Sequence, residues 1–275
     1  MTQVAIYTDL DGSLLDHYSY SHAAADLLLK ELKEAAIPVI PVSSKTRAEI
    51  LSLREELGNN HPFISENGAA VFIPLNYFTE PPDGAELNGD YWVKSFSFPR
   101  DHWLKKIEAI SNEFVKQFTH FSQLSTQDII SLTGLEAEKA QQAAQREFGE
   151  PVHWCGSEEE KEKFITMLQQ NGAHVLVGGR FIHVSGDCSK GRALLWLNKL
   201  YQNQVGGKSP LSIAIGDSQN DVAMLEVADY SLVIRSPTHL PPKLIRSGPS
   251  LTSSAFGPVG WDEGVREILD LLNRQ

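Results

Sequence analysis

The sequence predicts an α/β protein: a Rossmann-like parallel-sheet core domain with an inserted α+β cap domain. Three observations predict it. Short apolar runs at Val4-Ala5-Ile6-Tyr7 and Ser212-Ile213-Ala214-Ile215 run straight into carboxylates, at Asp9-Leu10-Asp11-Gly12 and Gly216-Asp217-Ser218-Gln219-Asn220-Asp221. Apolar runs of that length read as strands buried on both faces, the habit of parallel sheets. The order strand, helix, strand, helix, strand holds from residue 4 to about 73, lapses for roughly a hundred residues and resumes at Ser189.

Taken in order, the first strand ends in two carboxylates spaced two apart, and Gly12 permits a tight turn close to a ligand. Ser21 to Ala36 carries Leu27, Leu28, Leu32 and Ala35 at helical spacing, with Ser21 as a cap. Ile37 to Val42 reads as a second strand in spite of Pro38 and Pro41, which suit an edge better than a centre. A helix over about Arg47 to Leu57 stops at Gly58, and a short strand, Phe63-Ile64-Ser65, ends at Glu66-Asn67-Gly68 before apolar Ala69 to Ile73. Pro81-Pro82-Asp83-Gly84 marks a boundary.

Beyond it, Tyr91 to Phe98 alternates like a half-exposed strand, and Trp103, Leu104, Ile107, Ile110, Phe114 and Phe118 mark an amphipathic helix. A helix over Glu136 to Phe148, a strand at Val152 to Cys155 and a helix over Glu158 to Gln170 follow. Ala173 to Val177 and Phe181 to Ser185 form a hairpin about Gly178-Gly179-Arg180. Ser189-Lys190-Gly191 opens a helix through Leu200; Val222 to Val227 is helical, Tyr230 to Ile234 a strand, and Glu263 to Leu272 a terminal helix. The expected division is core over 1–83 and 187–275, with the cap over 84–186.

A formal net charge of -11 over 275 residues argues against nucleic acid as a partner, since phosphate backbones are held by basic patches. No apolar stretch is long enough to span a bilayer and no signal-peptide pattern opens the chain, so a cytoplasmic protein without membrane contact is expected. The two cysteines, Cys155 and Cys188, are too few for a disulfide framework and match no zinc spacing.

Carboxylates are seldom buried without a partner, so two of them ending a buried strand point to a metal, a phosphate site or both. In open α/β sheets ligands collect outside the carboxyl ends of the strands. Either acidic turn alone could be a capped helix start; two in one core supply the oxygen ligands that suit Mg2+, which keeps waters and bridges to phosphate. Zinc is disfavoured because no His/Cys cluster accompanies them. Lys190 sits at a helix start, where the dipole disfavours a cation unless an anion is near. His153, His174 and His183 are isolated and read as structural.

Asp9-Leu10-Asp11-Gly12, Ser43, Lys190 and Gly216-Asp217-Ser218-Gln219-Asn220-Asp221 occur in the order of the four motifs of the haloacid dehalogenase superfamily, which the chain resembles across its whole core. Ser13 stands where that superfamily usually has Thr, keeping the hydroxyl. The insert and Glu66-Asn67-Gly68 resemble its sugar-phosphate phosphatase branch. Val42-Ser43-Ser44-Lys45-Thr46, Arg146-Glu147-Phe148-Gly149-Glu150-Pro151 and Gly257-Pro258-Val259-Gly260-Trp261 resemble the mannosyl-3-phosphoglycerate phosphatases, although Gly149 departs from their serine.

The resemblance implies a Mg2+-dependent phosphatase working through an aspartyl-phosphate. Asp9 would be the nucleophile, ionised at neutral pH on its ordinary pKa near ~3.9, and Asp11 the acid and base. The metal would sit among Asp9, Asp11 (through its carbonyl), Asp217 and Asp221, and phosphate oxygens on Ser43 and Lys190, with Ser44 and Asn220 behind them. Lys45 and Arg180 would be substrate-facing or simply solvated. The implied substrate is a small phosphorylated sugar or glycosyl-glycerate, foremost mannosyl-3-phosphoglycerate, held between core and cap. The competing readings are another sugar phosphate, including the glucosyl analogue, or a phosphomutase such as phosphomannomutase.

Overall fold

The computed structural model describes residues 3–177, 181–205 and 209–274. In chain order its elements are β1 (Val4–Thr8), α1 (Asp26–Glu34), β2 (Val39–Pro41), α2 (Arg47–Glu56), β3 (Phe63–Ser65), β4 (Ala70–Pro74), β5 (Glu86–Asn88) and β6 (Tyr91–Ser95). Then come α3 (Arg100–Ile110), β7 (Phe118–His120), α4 (Thr126–Thr133), α5 (Ala137–Ala144), β8 (Glu150–Trp154), α6 (Glu158–Gln170), β9 (His174–Val177) and β10 (Ile182–Ser185). The last are α7 (Lys190–Val205), β11 (Leu211–Gly216), α8 (Val222–Val227), β12 (Tyr230–Arg235), β13 (Ser250–Phe256) and α9 (Gly257–Asn273). Among the described residues no helix is long and apolar enough to cross a membrane.

The chain forms two compact units, one of Met1–Ser44, Gly58–Lys94 and Ser189–Gln275, the other of Lys45–Leu57 and Ser95–Cys188. The first is built on a five-stranded parallel sheet, β13-β12-β11-β1-β2. The middles of its two central strands, β1 and β11, are apolar and fully buried, Ala5, Ile6, Tyr7, Ile213, Ala214 and Ile215 having no exposure at all, while Thr8 and Ser212 are buried polar residues near their ends. Thr8 pairs with Ile215, and Asp9 N–H donates to the Ile215 carbonyl at 2.8 Å, so the two acidic turns leave the sheet side by side. Pro38 precedes β2, and Pro41 is tolerated within it because Val42 N–H donates to the Thr8 carbonyl at 2.8 Å, so that by alternation the nitrogen of Pro41 faces away from β1. The expected pattern lacked β13, whose serine-rich residues are mostly exposed and leave no apolar signature.

A second sheet in this unit, β3-β4-β6-β5, begins with the antiparallel β3–β4 pair. Phe63 and Phe72 stack at 4.8 Å and Tyr91 stands edge-on to Phe63 at 5.7 Å. These aromatic contacts tie the start of β6 to β3 and β4, so the first unit continues through Lys94 rather than ending near residue 83.

The second unit has the sheet β7-β8-β10-β9, antiparallel throughout. Trp103, Ile107 and Ile110 of α3 and Phe164 and Leu168 of α6 share one core with Val152, Ile182 and Val184 of the sheet. The helix expected through Phe118 ends at Ile110; Phe114 follows a 3-10 turn and Phe118 lies on β7, so helical spacing there came from a helix, a turn and a strand that reach the same core. The helix expected over 136–148 is shorter, and α4 precedes it, opened by a Ser125–Asp128 capping box. Residues 45–57 belong here as well, because the Thr46 hydroxyl donates to the Gln142 carbonyl at 2.9 Å and α2 packs on α5. The expected hairpin pairs as β9–β10, while its turn at 178–180 lies outside the described residues.

Candidate active site

The site grows from the carboxyl ends of β1 and β11. Asp9, Asp217 and Asp221 are all buried, and each offers an oxygen lying within 4.8 Å of those of the other two. Lys190, the first residue of α7 and without exposure, donates from Nζ to Asp9 Oδ1 at 2.5 Å and to Asp221 Oδ1 at 2.6 Å. The Asp217 and Ser218 amides donate to Asp221 Oδ2 at 3.1 and 3.0 Å, fixing that carboxylate across its own turn.

Two glycines allow this density. Gly12 (φ +79°) lies so near Asp217 that a Cβ there would stand 2.7 Å from its Oδ2. Gly68 (φ +92°) lets the Glu66–Gly68 turn rest on the backbone before α7, where a Cβ would come within 2.2 Å of the Ser189 carbonyl oxygen. Asn67, itself left-handed at φ +61°, accepts at Oδ1 from Asn220 Nδ2 at 3.0 Å. Ser43 is buried two residues past β2, with its amide on the Ile64 carbonyl at 3.0 Å and its carbonyl accepting from Asn67 N–H at 2.9 Å. Behind the first strand, Trp261 Nε1 donates to Thr8 Oγ1 at 2.9 Å, and that hydroxyl donates to the Asp9 carbonyl at 2.8 Å.

Electrostatically the site is under tension. Burial, then Asp221, pushes the Asp9 carboxyl well above the usual carboxylate range, against the pull of Lys190. Burial and Asp221 push Asp217 up to about 6, with His239 and Lys190 opposing. Burial acts to lower Lys190, but Asp221 and Asp9 outweigh it and hold the ammonium protonated. The sequence reading let Asp9 ionise on its ordinary pKa; once buried beside Asp221, its charged form depends on a cationic partner instead.

The structure thus brings Asp9, Asp217, Asp221 and Lys190 into contact, with Asp11 two residues past Asp9 in the same turn and Ser43, Ser44 and Asn220 in the same unit. Lys45 belongs to the other unit and pairs with Glu49 along α2 at 3.7 Å, and Arg180 lies outside the described residues. Sequence reasoning missed His239, whose Nε2 stands 3.2 Å from Asp217 Oδ2, and gave Asn67 and Trp261 no role. Nothing in Pro237-Thr238-His239-Leu240-Pro241 signals that contact; Asn67 and Trp261 at least sat in stretches that carried a resemblance.

Chemically, three converging carboxylates with no thiol or imidazole in the same group form an oxygen donor set suited to a hard divalent cation. A cavity of about 840 Å³ lined by Val4, Pro38, Pro210 and Tyr201 lies instead at the amino ends of β1, β2 and β11, away from these carboxylates.

The model of the haloacid dehalogenase-like hydrolases matches residues 6–80 and 157–239. A glucosyl-3-phosphoglycerate/mannosyl-3-phosphoglycerate phosphatase of Methanococcoides burtonii is 36% identical over 98% of this chain and 98% of its own. A protein of the same name from Persephonella marina is 32% identical over 98% and 99%. The solved structure of a haloalkanoate-superfamily phosphatase from Bacteroides thetaiotaomicron superposes with a TM-score of 0.66 at 15% identity, over 97% of this chain and 95% of that one, a likeness of fold. The motif order, the converged carboxylates and near-full-length similarity agree: the chain belongs to the haloacid dehalogenase-like hydrolases and is a phosphoric monoester hydrolase.

Proposed function

We propose that the protein is a Mg2+-dependent phosphatase that releases phosphate from mannosyl-3-phosphoglycerate and its glucosyl analogue through an aspartyl-phosphate on Asp9. The observation that carries the chemistry is the convergence of three buried carboxylates on one buried lysine at the carboxyl end of the parallel sheet. The substrate rests on the names of two relatives at 36% and 32% identity, both of which join the glucosyl and mannosyl compounds.

In this reading an Asp9 oxygen attacks phosphorus while the bond to the glycerate oxygen breaks. Asp11 gives its proton to that leaving oxygen. It then takes a proton from the water that attacks phosphorus, which breaks the bond to Asp9 and frees phosphate. Lys190 and the Ser43 hydroxyl hold phosphate oxygens, and Asn220, braced by Asn67, stands behind them. Asp9, Asp217, Asp221 and the Asp11 carbonyl would hold the divalent ion, which when bound offsets the repulsion between carboxylate and phosphate dianion. In this reading the α+β insert selects the substrate.

The test is phosphate release from the mannosyl and glucosyl compounds, mannose 6-phosphate and 3-phosphoglycerate, with Mg2+ or chelator, for wild type and Asp9→Asn. Metal-dependent release from the first two, abolished by the substitution, is the expected result. Equal slow rates on all four would overturn the substrate. No release, or phosphate passed to a second sugar hydroxyl, would overturn the reaction.

A further inference from the structure

We propose that His239 is a positioning residue: it occupies one carboxylate oxygen of Asp217, makes Asp217 a one-oxygen ligand, and so biases the site toward Mg2+ over Ca2+. This rests on the reading above that Asp217 helps to hold the cation. His239 comes from the stretch between β12 and β13, and its Nε2 stands 3.2 Å from Asp217 Oδ2. A carboxylate oxygen only accepts, so Nε2 carries the hydrogen in this contact.

The same oxygen is closed in from the other turn. A Cβ on Gly12 would be 2.7 Å from Oδ2 but 3.7 Å from Oδ1, so Oδ2 is the oxygen wedged under the Gly12 backbone. Lys190 Nζ is engaged by Asp9 and Asp221, which leaves the imidazole as the basic group paired with Asp217. The Ser218 side chain hydrogen-bonds the same carboxylate, and with Oδ2 taken by His239 the oxygen that the imidazole leaves to a cation is Oδ1.

The number of oxygens offered matters because the two cations differ in what they accept. Mg2+ demands an octahedron of single oxygens near ~2.1 Å, whereas Ca2+ takes about 6–8 oxygens and readily accepts a two-oxygen carboxylate. A carboxylate pinned at one oxygen serves the first and penalises the second. Partners that orient a ligating group are worth roughly 10- to 100-fold in metal affinity.

The experiment is calorimetric titration of the full-length protein, without substrate, with MgCl2 and separately with CaCl2, for wild type, His239→Ala, His239→Gln and Asp217→Asn. Wild type is expected to prefer Mg2+. His239→Ala should move the ratio of the two dissociation constants about tenfold toward Ca2+. His239→Gln, whose amide can donate to the same oxygen, should restore most of the wild-type ratio. A ratio within twofold of wild type in His239→Ala overturns the proposal, whether both affinities stay put or both fall together; so does a Gln variant no better than Ala. Asp217→Asn keeps the two questions apart: Mg2+ binding unchanged in that variant would overturn the metal assignment and this proposal with it, whereas weakened Mg2+ binding there together with an unmoved ratio in His239→Ala would overturn the proposal alone.

Discussion

Replacing Asp217 with Asn should make the metal-free protein more stable while removing its response to Mg2+. Asp217 has a side chain only 5% exposed, and burial and Asp221 raise its carboxyl from the usual 3.8 to about 6. An acid whose folded pKa lies above its unfolded one is penalised when ionised; the penalty is full above about 6, shrinks as pH falls and is gone below 3.8. At about 1.36 kcal/mol per pH unit, the ionised group costs the fold about 3 kcal/mol at pH 7. Asn keeps an oxygen for His239 and discards the charge, so unfolding in chelator at pH 7 should shift upward by 2–3 kcal/mol, or about 5 °C. At pH 5 the gap should shrink to about half. Mg2+ at about 100 times its dissociation constant should then add about 2.7 kcal/mol to wild type and nothing to the variant. A variant less stable than wild type in chelator at pH 7, or a gap that widens on acidification, would refute the electrostatic reasoning.

Trp261→Phe removes the indole donor to Thr8 Oγ1 beneath the Asp9 carbonyl, a buried bond at 2.9 Å, and should lower stability by about 1–3 kcal/mol in urea unfolding because the hydroxyl keeps its burial. In the second unit, burial and then Arg146 lower His183 from 6.5 to about 4, so its neutral form is favoured by folding. That contribution is complete above pH 6.5 and falls away as pH drops toward 4, by on the order of 2–3 kcal/mol; His183→Gln should flatten the pH dependence of unfolding in that window.

Much of the site was legible in the chain because its parts are local. A strand buried on both faces is mostly apolar, so carboxylates at its end stand out, and two such acidic turns with Ser43 and Lys190 between them, four motifs in order, carried the resemblance. The same reasoning failed where an element has no apolar periodicity of its own, as in the serine-rich β13. It also misread α3, where residues of a helix, a turn and a strand reach one core and mimic a longer helix.

By itself the sequence determined the alternating α/β order, the acidic turns and the lysine set at a helix start, since each depends on neighbours a few residues away. Tertiary structure alone decided which groups share a site. The parallel register that pairs Thr8 with Ile215 sets the two acidic turns side by side. Folding then buries Lys190 between Asp9 and Asp221, 181 and 31 residues away in the chain. It also carries His239 to Asp217 from a loop with no motif. Coulomb interactions and desolvation depend on distance through space, so the raised carboxyls of Asp9 and Asp217 come into being only when these segments are packed together.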